Sequence, residues 1–267
     1  MPDILGLTDT HAHLSYVAER EPADVLVRVA ESYQRSGAMI LDPGVEYDDF
    51  PGRVAAFGDL PFVRFAAGIW PDSDSLLDIQ RRVQVLESAI KDARCAAVGE
   101  CGLDYHWMHG SVDQQASLFR AQAELALHHG KPLIVHSREA HVDTLRLIRD
   151  LSDKIPVLIH CFGYDESAAR EYIAAGCWVS FAGNLTFKNA RALRDACMIV
   201  PAERLLLETD APYMCPEPMR GRNSSPLDIE RTYAMCAALR GSTIAEVAGI
   251  VAANARMLFG ASIASSA

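Results

Sequence analysis

The chain has 267 residues, half of them apolar and 22% charged, a balance that supports a sizeable core and excludes a disordered polypeptide. A formal net charge of -10 excludes capture of a polyanion through a broad basic surface, so a phosphate-bearing ligand has to be gripped locally, by a few arginines or by bound cations. Seven cysteines (95, 101, 161, 177, 197, 215, 236) with no C-x-x-C pair suggest neither a disulfide framework nor a zinc knuckle, and are read as reduced thiols.

The opening MPDILGLTDTHAH lacks a basic leader followed by an apolar core, and no apolar run is long enough to cross a bilayer, so residence in the cytoplasm, away from any membrane, is expected. From there apolar runs alternate with amphipathic stretches. ILGLTDT reads as a strand before a helix near 22–36, AMILDPG as one before 46–57, and FVRFAAGI as one before 73–93. CAAVGECGL precedes 112–129, KPLIVHS precedes 139–151, PVLIHCF precedes 165–175, CWVSFAG precedes 186–197, and RLLLETD precedes a helix from about 226. Eight βα units with no Pro-, Gly- or Ser-rich linker between them predict an α/β fold. The form expected is a single (β/α)8 TIM barrel that occupies 1–267 as one domain, ordered to about 260, with an additional C-terminal helical segment at 243–259. The one conspicuous insertion, APYMCPEPMRGRNSSP, is of a length that marks a functional or mobile loop. The tail ASIASSA is expected to fray, and a monomer is the default expectation.

His11 and His13, two apart at the end of the first strand, point to the same side and can grip one cation. Glu100 follows AAVG, His136 ends KPLIV, His160 ends IPVLI and Asp210 follows LLLET. Each has an ordinary reading in isolation, as a satisfied core histidine or a helix-capping carboxylate. Together they share one address, the C-terminal strand ends where barrels carry their chemistry. Imidazoles and carboxylates packed at a dry mouth are costly unless they pair or coordinate metal. Four histidines and two carboxylates suit zinc, manganese, nickel or iron better than magnesium, which favours oxygen, and two divalent cations are expected with their identity open among these five. Glu100 is the natural bridging ligand, since a carboxylate has two oxygens and can span a pair of ions about 3.5–4 Å apart.

The sequence resembles the TatD-type metal-dependent deoxyribonucleases of the amidohydrolase superfamily. The likeness runs end to end and rests on DTHAHL at 9–14, GECGLDYHW at 99–107, KPLIVHSREA at 131–140, IHCF at 159–162, ETDAPY at 208–213 and NARMLFG at 254–260. It implies one metal site of His11, His13, Glu100 and Asp210 and a second of Glu100, His136 and His160. It further implies hydrolysis of DNA phosphodiester bonds, stepwise from a 3′ end, by a hydroxide held at the metals. Glu100 and Asp210 would be the catalytic carboxylates, Asp210 orienting the hydroxide or taking its proton.

Asp104, just beyond Glu100, is expected to line the mouth. Arg138 and Arg220 suit phosphate because a guanidinium pairs two oxygens at once. His106, Arg222 and Lys188 read as surface residues. The chain departs from the family's pattern in three places. GIWP puts Trp70 where a histidine is usual, and its face can stack on a base or serve packing alone. CFGY brings Gly163 forward and sets Tyr164 behind it, with the loss of a hydroxyl, and RGRNSSP puts Ser224 where an asparagine is expected. None of these touches the ligand set. They surround the substrate, which keeps open a second class of activity on small esters, amides or lactones with the same metal pair. The intact ligand set argues against a third class, a non-catalytic metal-binding protein.

Overall fold

The computed structural model describes residues 7–260. Among them seven strands run parallel and hydrogen-bond in chain order: β1 (Ile40–Asp42), β2 (Val63–Ala67), β3 (Cys95–Asp104), β4 (Leu133–Arg138), β5 (Val157–Ile159), β6 (Trp178–Phe181) and β7 (Leu205–Leu207). Each crossover carries helix onto the sheet, so the strands are covered on both faces and read as near-continuous apolar runs such as Leu205–Leu207 and Val157–Ile159, every residue buried.

Among the described residues ten α-helices accompany them: α1 (Leu14–Arg20), α2 (Ala23–Ser36), α3 (Phe50–Phe57), α4 (Ile79–Ile90), α5 (Val112–His129), α6 (His141–Ile148), α7 (Glu166–Ala174), α8 (Arg191–Ile199), α9 (Ile229–Leu239) and α10 (Ile244–Phe259). Local chemistry sets their ends. α5 starts at a reciprocal cap between Ser111 and Gln114 and stops at Gly130 in the left-handed region, and α10 starts at the matching pair Thr243 and Glu246. The predicted helix 73–93 shortens to α4 because Asp78 caps at its own position. The predicted helix 186–197 begins late, as α8 at Arg191, because the chain first passes through a 3-10 turn, Gly183–Thr186, and a non-helical turn at 187–190. α1 was not predicted; Leu14 N–H donates to Asp42 Oδ1 at 2.9 Å, a start signal that lies 28 residues away in sequence.

The predicted eight-stranded barrel appears as a curled sheet of seven named strands. Residues 4–6 of the expected first strand, and the tail ASIASSA, lie outside the described residues. The remainder, 9–13, makes only isolated bridges, Asp9 with Ile40 and Ala12 with Ala211. It nevertheless hydrogen-bonds on both sides. Asp9 N–H donates to Met39 O and Ala12 N–H to Leu41 O, while Thr10 N–H donates to Leu207 O and His13 N–H to Ala211 O. The chain turns into α1 immediately after His13, which is too soon for a continuous ladder.

The long insertion 211–226 is fastened. Ser224 N–H donates to Pro212 O at 2.9 Å, Glu217 N–H to Thr186 Oγ1 at 2.8 Å, and a Cβ at Gly183 would sit 1.9 Å from Met214 O, so only glycine permits that approach. Among the described residues no single helix is long and apolar enough to cross a membrane.

Candidate metal centre

Because the strands are parallel, their C-terminal ends open on one side, and the expected ligands collect there. Ala12, whose N–H donates to Leu41 O and which bridges to Ala211 on the other side, fixes the flanking His11 and His13; both are buried. Glu100 lies in the second half of β3 and its N–H donates to Gly44 O; His160 follows β5 and its N–H donates to Val135 O. Asp210 follows β7 with its N–H on His11 O, and holds a left-handed φ of 55°, a conformation that aspartate tolerates better than most side chains and that turns its carboxylate inward.

One oxygen organises the cluster. Glu100 Oε2 lies 2.7 Å from His11 Nε2, 3.3 Å from His160 Nε2 and 3.8 Å from His13 Nε2, and Asp210 Oδ1 lies 3.6 Å from His13 Nε2 and 3.9 Å from His11 Nε2. His11, His13 and Asp210 form one group whose ligand atoms converge, and His11, Glu100 and His160 form another. His136 stands beside the second group, its Nδ1 3.3 Å from His160 Nε2, while its Nε2 meets Asp104 Oδ2 at 2.9 Å.

The donors fit divalent cations. His11 Nδ1 and Nε2 and Glu100 Oε2 are buried with no hydrogen bond of acceptable geometry, although His11 and Glu100 touch. Lone-pair atoms crowded together and left unpaired are what a bound ion would satisfy. Without it, protons carry the positive charge. Burial opposes ionisation of Glu100, yet His160, the contact with His11 and nearby His13 hold its carboxyl well below the usual range. Burial likewise opposes the Asp210 carboxylate, which His13, His11 and His160 still hold low. Burial would lower His160, but Glu100 and Glu208 push it up to about 9; His13 is raised against burial by Asp210 and Glu100. His11, dominated by burial and by its stacking partner His160 at 3.9 Å between ring centroids, is lowered. Cations would displace these protons, since imidazole ligates only when neutral.

A supporting layer orients the ligands. Gln115 clamps the Asp104 backbone, accepting from its N–H at 2.9 Å and donating to its carbonyl at 3.0 Å, and so aims the carboxylate at His136. Two buried carboxylates that the sequence reading passed over also belong here. Glu208 Oε1 accepts from Cys161 N–H at 2.7 Å and faces His160 Nδ1 at 3.4 Å. Asp9 accepts from His11 N–H and from Thr209 N–H and Oγ1, tying the two ligand-bearing segments together, and burial pushes its carboxyl up to about 8. The available signal was that each opens a motif, DTHAH or ETD, two residues before a ligand.

Above the ligands opens a cavity of about 790 Å³. Trp70, Asp104 and Arg138 line it as expected. Trp70 meets His136 edge-on at 5.9 Å, and the Arg138 guanidinium sits 5.8 Å from the Trp107 ring. Arg220 is not brought there: it is exposed, outside the lining, and lies 4.2 Å over the Phe187 ring, because the fastened insertion turns it away from the mouth. Lys188 and Arg222 are exposed, and His106 pairs with Glu139 at 2.8 Å.

Gly102 lets β3 approach β4 closely enough for this geometry. A Cβ there would lie 1.9 Å from His136 O. Gly102→Ala is expected to lower stability by about 1–3 kcal/mol through overpacking and to weaken metal binding with it. Thermal melts and metal titration check this, and a variant matching the parent in both would show that the two strands tolerate separation.

A profile described as TatD related DNase matches residues 8–260. The chain is 33% identical over 262 residues to the uncharacterized metal-dependent hydrolase TatD of Mycobacterium tuberculosis, covering 95% of this chain and 98% of that one. It is 30% identical over 254 residues to the uncharacterized metal-dependent hydrolase YabD of Bacillus subtilis, with the same coverages. Among solved structures, the TatD homolog YJJV of Escherichia coli superposes with a TM-score of 0.77 at 25% identity, over 95% of this chain and 97% of that one.

Proposed function

The chain belongs to the TatD related DNase family and is a metal-dependent hydrolase; from that premise we propose that it is a deoxyribonuclease that removes nucleotides from a 3′ end of DNA. The observation that carries the reading is the convergence of His11, His13, Glu100, His160 and Asp210 at the floor of a cavity walled by an arginine and an aromatic. Those five residues would hold two divalent cations, with His136 joining on the side of His160. The implied division, His11, His13, Glu100 and Asp210 against Glu100, His136 and His160, has Glu100 shared. The segment 9–13, bonded on both flanks, is taken as the eighth stave that closes the barrel around this floor.

When bound, the cations lower the pKa of a water to about 7 and neutralise charge that grows on the phosphoryl oxygens. The chain's own groups do the rest. Asp210 accepts the proton of the attacking water, Arg138 pairs the non-bridging phosphate oxygens, and Trp70 offers a face to the terminal base.

A second reading, hydrolysis of small esters, is favoured by one feature: Glu46, Asp72 and Glu139 line the same mouth and repel a long polyanion. The two separate on end-labelled single- and double-stranded DNA, offered to metal-stripped protein resupplied with magnesium, manganese or zinc, with Asp210→Ala as control. Metal-dependent shortening from the 3′ end, absent in the control, is expected. No cleavage, with small esters still hydrolysed, moves the function to the second class. Trp70→Ala is expected to cut kcat/KM on DNA by about ten- to a hundredfold, since a stacked base is worth about 1–3 kcal/mol, and to spare a small phosphodiester. Equal losses on both would reduce Trp70 to packing.

A further inference from the structure

Six of the segments that open on the cavity bring a candidate ligand or an aromatic to it. The end of β6 brings neither; it brings Asn184. This residue lines the cavity on the 3-10 turn Gly183–Thr186, and its carboxamide oxygen is buried without any hydrogen-bond partner. A buried carbonyl left unpaired is rare in a native protein and is disfavoured unless something else completes it.

The turn that presents it has little freedom. Gly183 is pressed against Met214 O, Thr186 Oγ1 donates to Gly183 O at 2.7 Å while accepting from Glu217 N–H, and the Arg194 guanidinium caps Leu185 O at 3.1 Å and Thr186 O at 3.3 Å. Phe187 N–H closes the turn on Asn184 O at 3.1 Å. The backbone that carries Asn184 is therefore fixed at the cavity, and a partner that arrives there has only the carboxamide itself to order.

We propose that Asn184 is a specificity-determining residue whose carboxamide oxygen accepts a hydrogen bond from an N–H or O–H donor on the nucleoside portion of the substrate. The inference rests on the phosphodiesterase reading above and deepens it. An acceptor cannot pair with an ionised phosphate, which has no donor to offer, so Asn184 reads the part of the substrate next to the scissile group. A base N–H and a sugar hydroxyl are the two donors of that chemistry.

The test compares two compounds with the same leaving group, bis(p-nitrophenyl) phosphate and thymidine 5′-(p-nitrophenyl phosphate), on metal-loaded protein. Wild type is expected to prefer the nucleoside ester in kcat/KM. Asn184→Ala should lower kcat/KM for that ester about tenfold, mainly through KM, as one lost hydrogen bond predicts, and leave the other compound and the bound metal unchanged. Asn184→Asp keeps an acceptor in the same place and adds the same charge penalty to both compounds, so it should preserve the preference. An N3-methylthymine version of the ester separates the donors: an Ala effect that disappears with it assigns the base N–H, and one that persists assigns the 3′-hydroxyl. A wild type with no preference, an Ala variant with equal loss or no loss on the two compounds, or a fall in bound metal would each overturn the assignment to Asn184. Cleavage of neither compound by wild type would instead bring down the phosphodiesterase reading, and this one with it.

Discussion

Glu100→Ala is expected to release at least one cation per chain and to lower hydrolysis by about three orders of magnitude or more. The reason is geometric: a single oxygen, Glu100 Oε2, touches His11 at 2.7 Å and His160 at 3.3 Å and comes within 3.8 Å of His13, so one carboxylate meets three of the candidate imidazole ligands. Its loss removes the negative charge that the imidazoles surround and a carboxylate whose two oxygens can span a pair of ions. Interactions that act on developing charge in a closed site are worth about 10²–10³ each, and here they fail together. Glu100→Gln keeps the volume but offers one acceptor oxygen and no charge, and should fall nearly as far. Metal per chain after dialysis, measured beside kcat/KM, checks both. A variant that kept its full metal complement would end the bridging role of Glu100, whatever its activity.

The second large effect is on stability. Arg53→Ala is expected to cost about 3–5 kcal/mol and to lower Tm by about 10 °C or more. Arg53 is buried on α3, where Nη1 donates to Asp42 Oδ2 at 2.9 Å and Asp42 O at 3.0 Å, and Nη2 to Asp49 Oδ1 at 2.9 Å and Ala66 O at 2.7 Å. Asp42 is wholly buried at the end of β1, and without the guanidinium its charge would have no cationic partner in contact. The same carboxylate caps α1 through Leu14, the residue after His13, so activity should fall as well. Asp49→Ala, which removes the more exposed partner, should cost far less. A melt shifted by less than about 3 °C for Arg53→Ala would mean that water or a rearranged neighbour satisfies Asp42.

The convergence of the candidate ligands was legible because each sits at the end of an apolar run, and a parallel α/β fold sends all such ends to one face. His11, His13, Glu100, His160 and Asp210 needed only that address. Trp70, Asp104 and Arg138 were legible from their distance to those ends. Arg220 was not, because its direction depends on how 211–226 is pinned to Thr186 and Gly183, contacts that no local pattern announces. The same holds for α1, whose start signal is a carboxylate 28 residues away, and for Asn184, which looks like an ordinary turn residue until its oxygen is seen to be buried and alone.

By itself the sequence determined the order of the seven strands and of the helices between them, the α/β class of the fold and the chemistry of the candidate donor set, because these follow from periodicity and residue type along short stretches of chain. The tertiary structure alone decided that His11 stands in both ligand groups, that Asp104 holds His136, that Asp9 and Glu208 support the floor, and that 9–13 bonds to both flanks without a continuous ladder. These are meetings between groups up to 200 residues apart. Their distances are set by the packing of the whole sheet and its helices, which no segment carries in its own pattern.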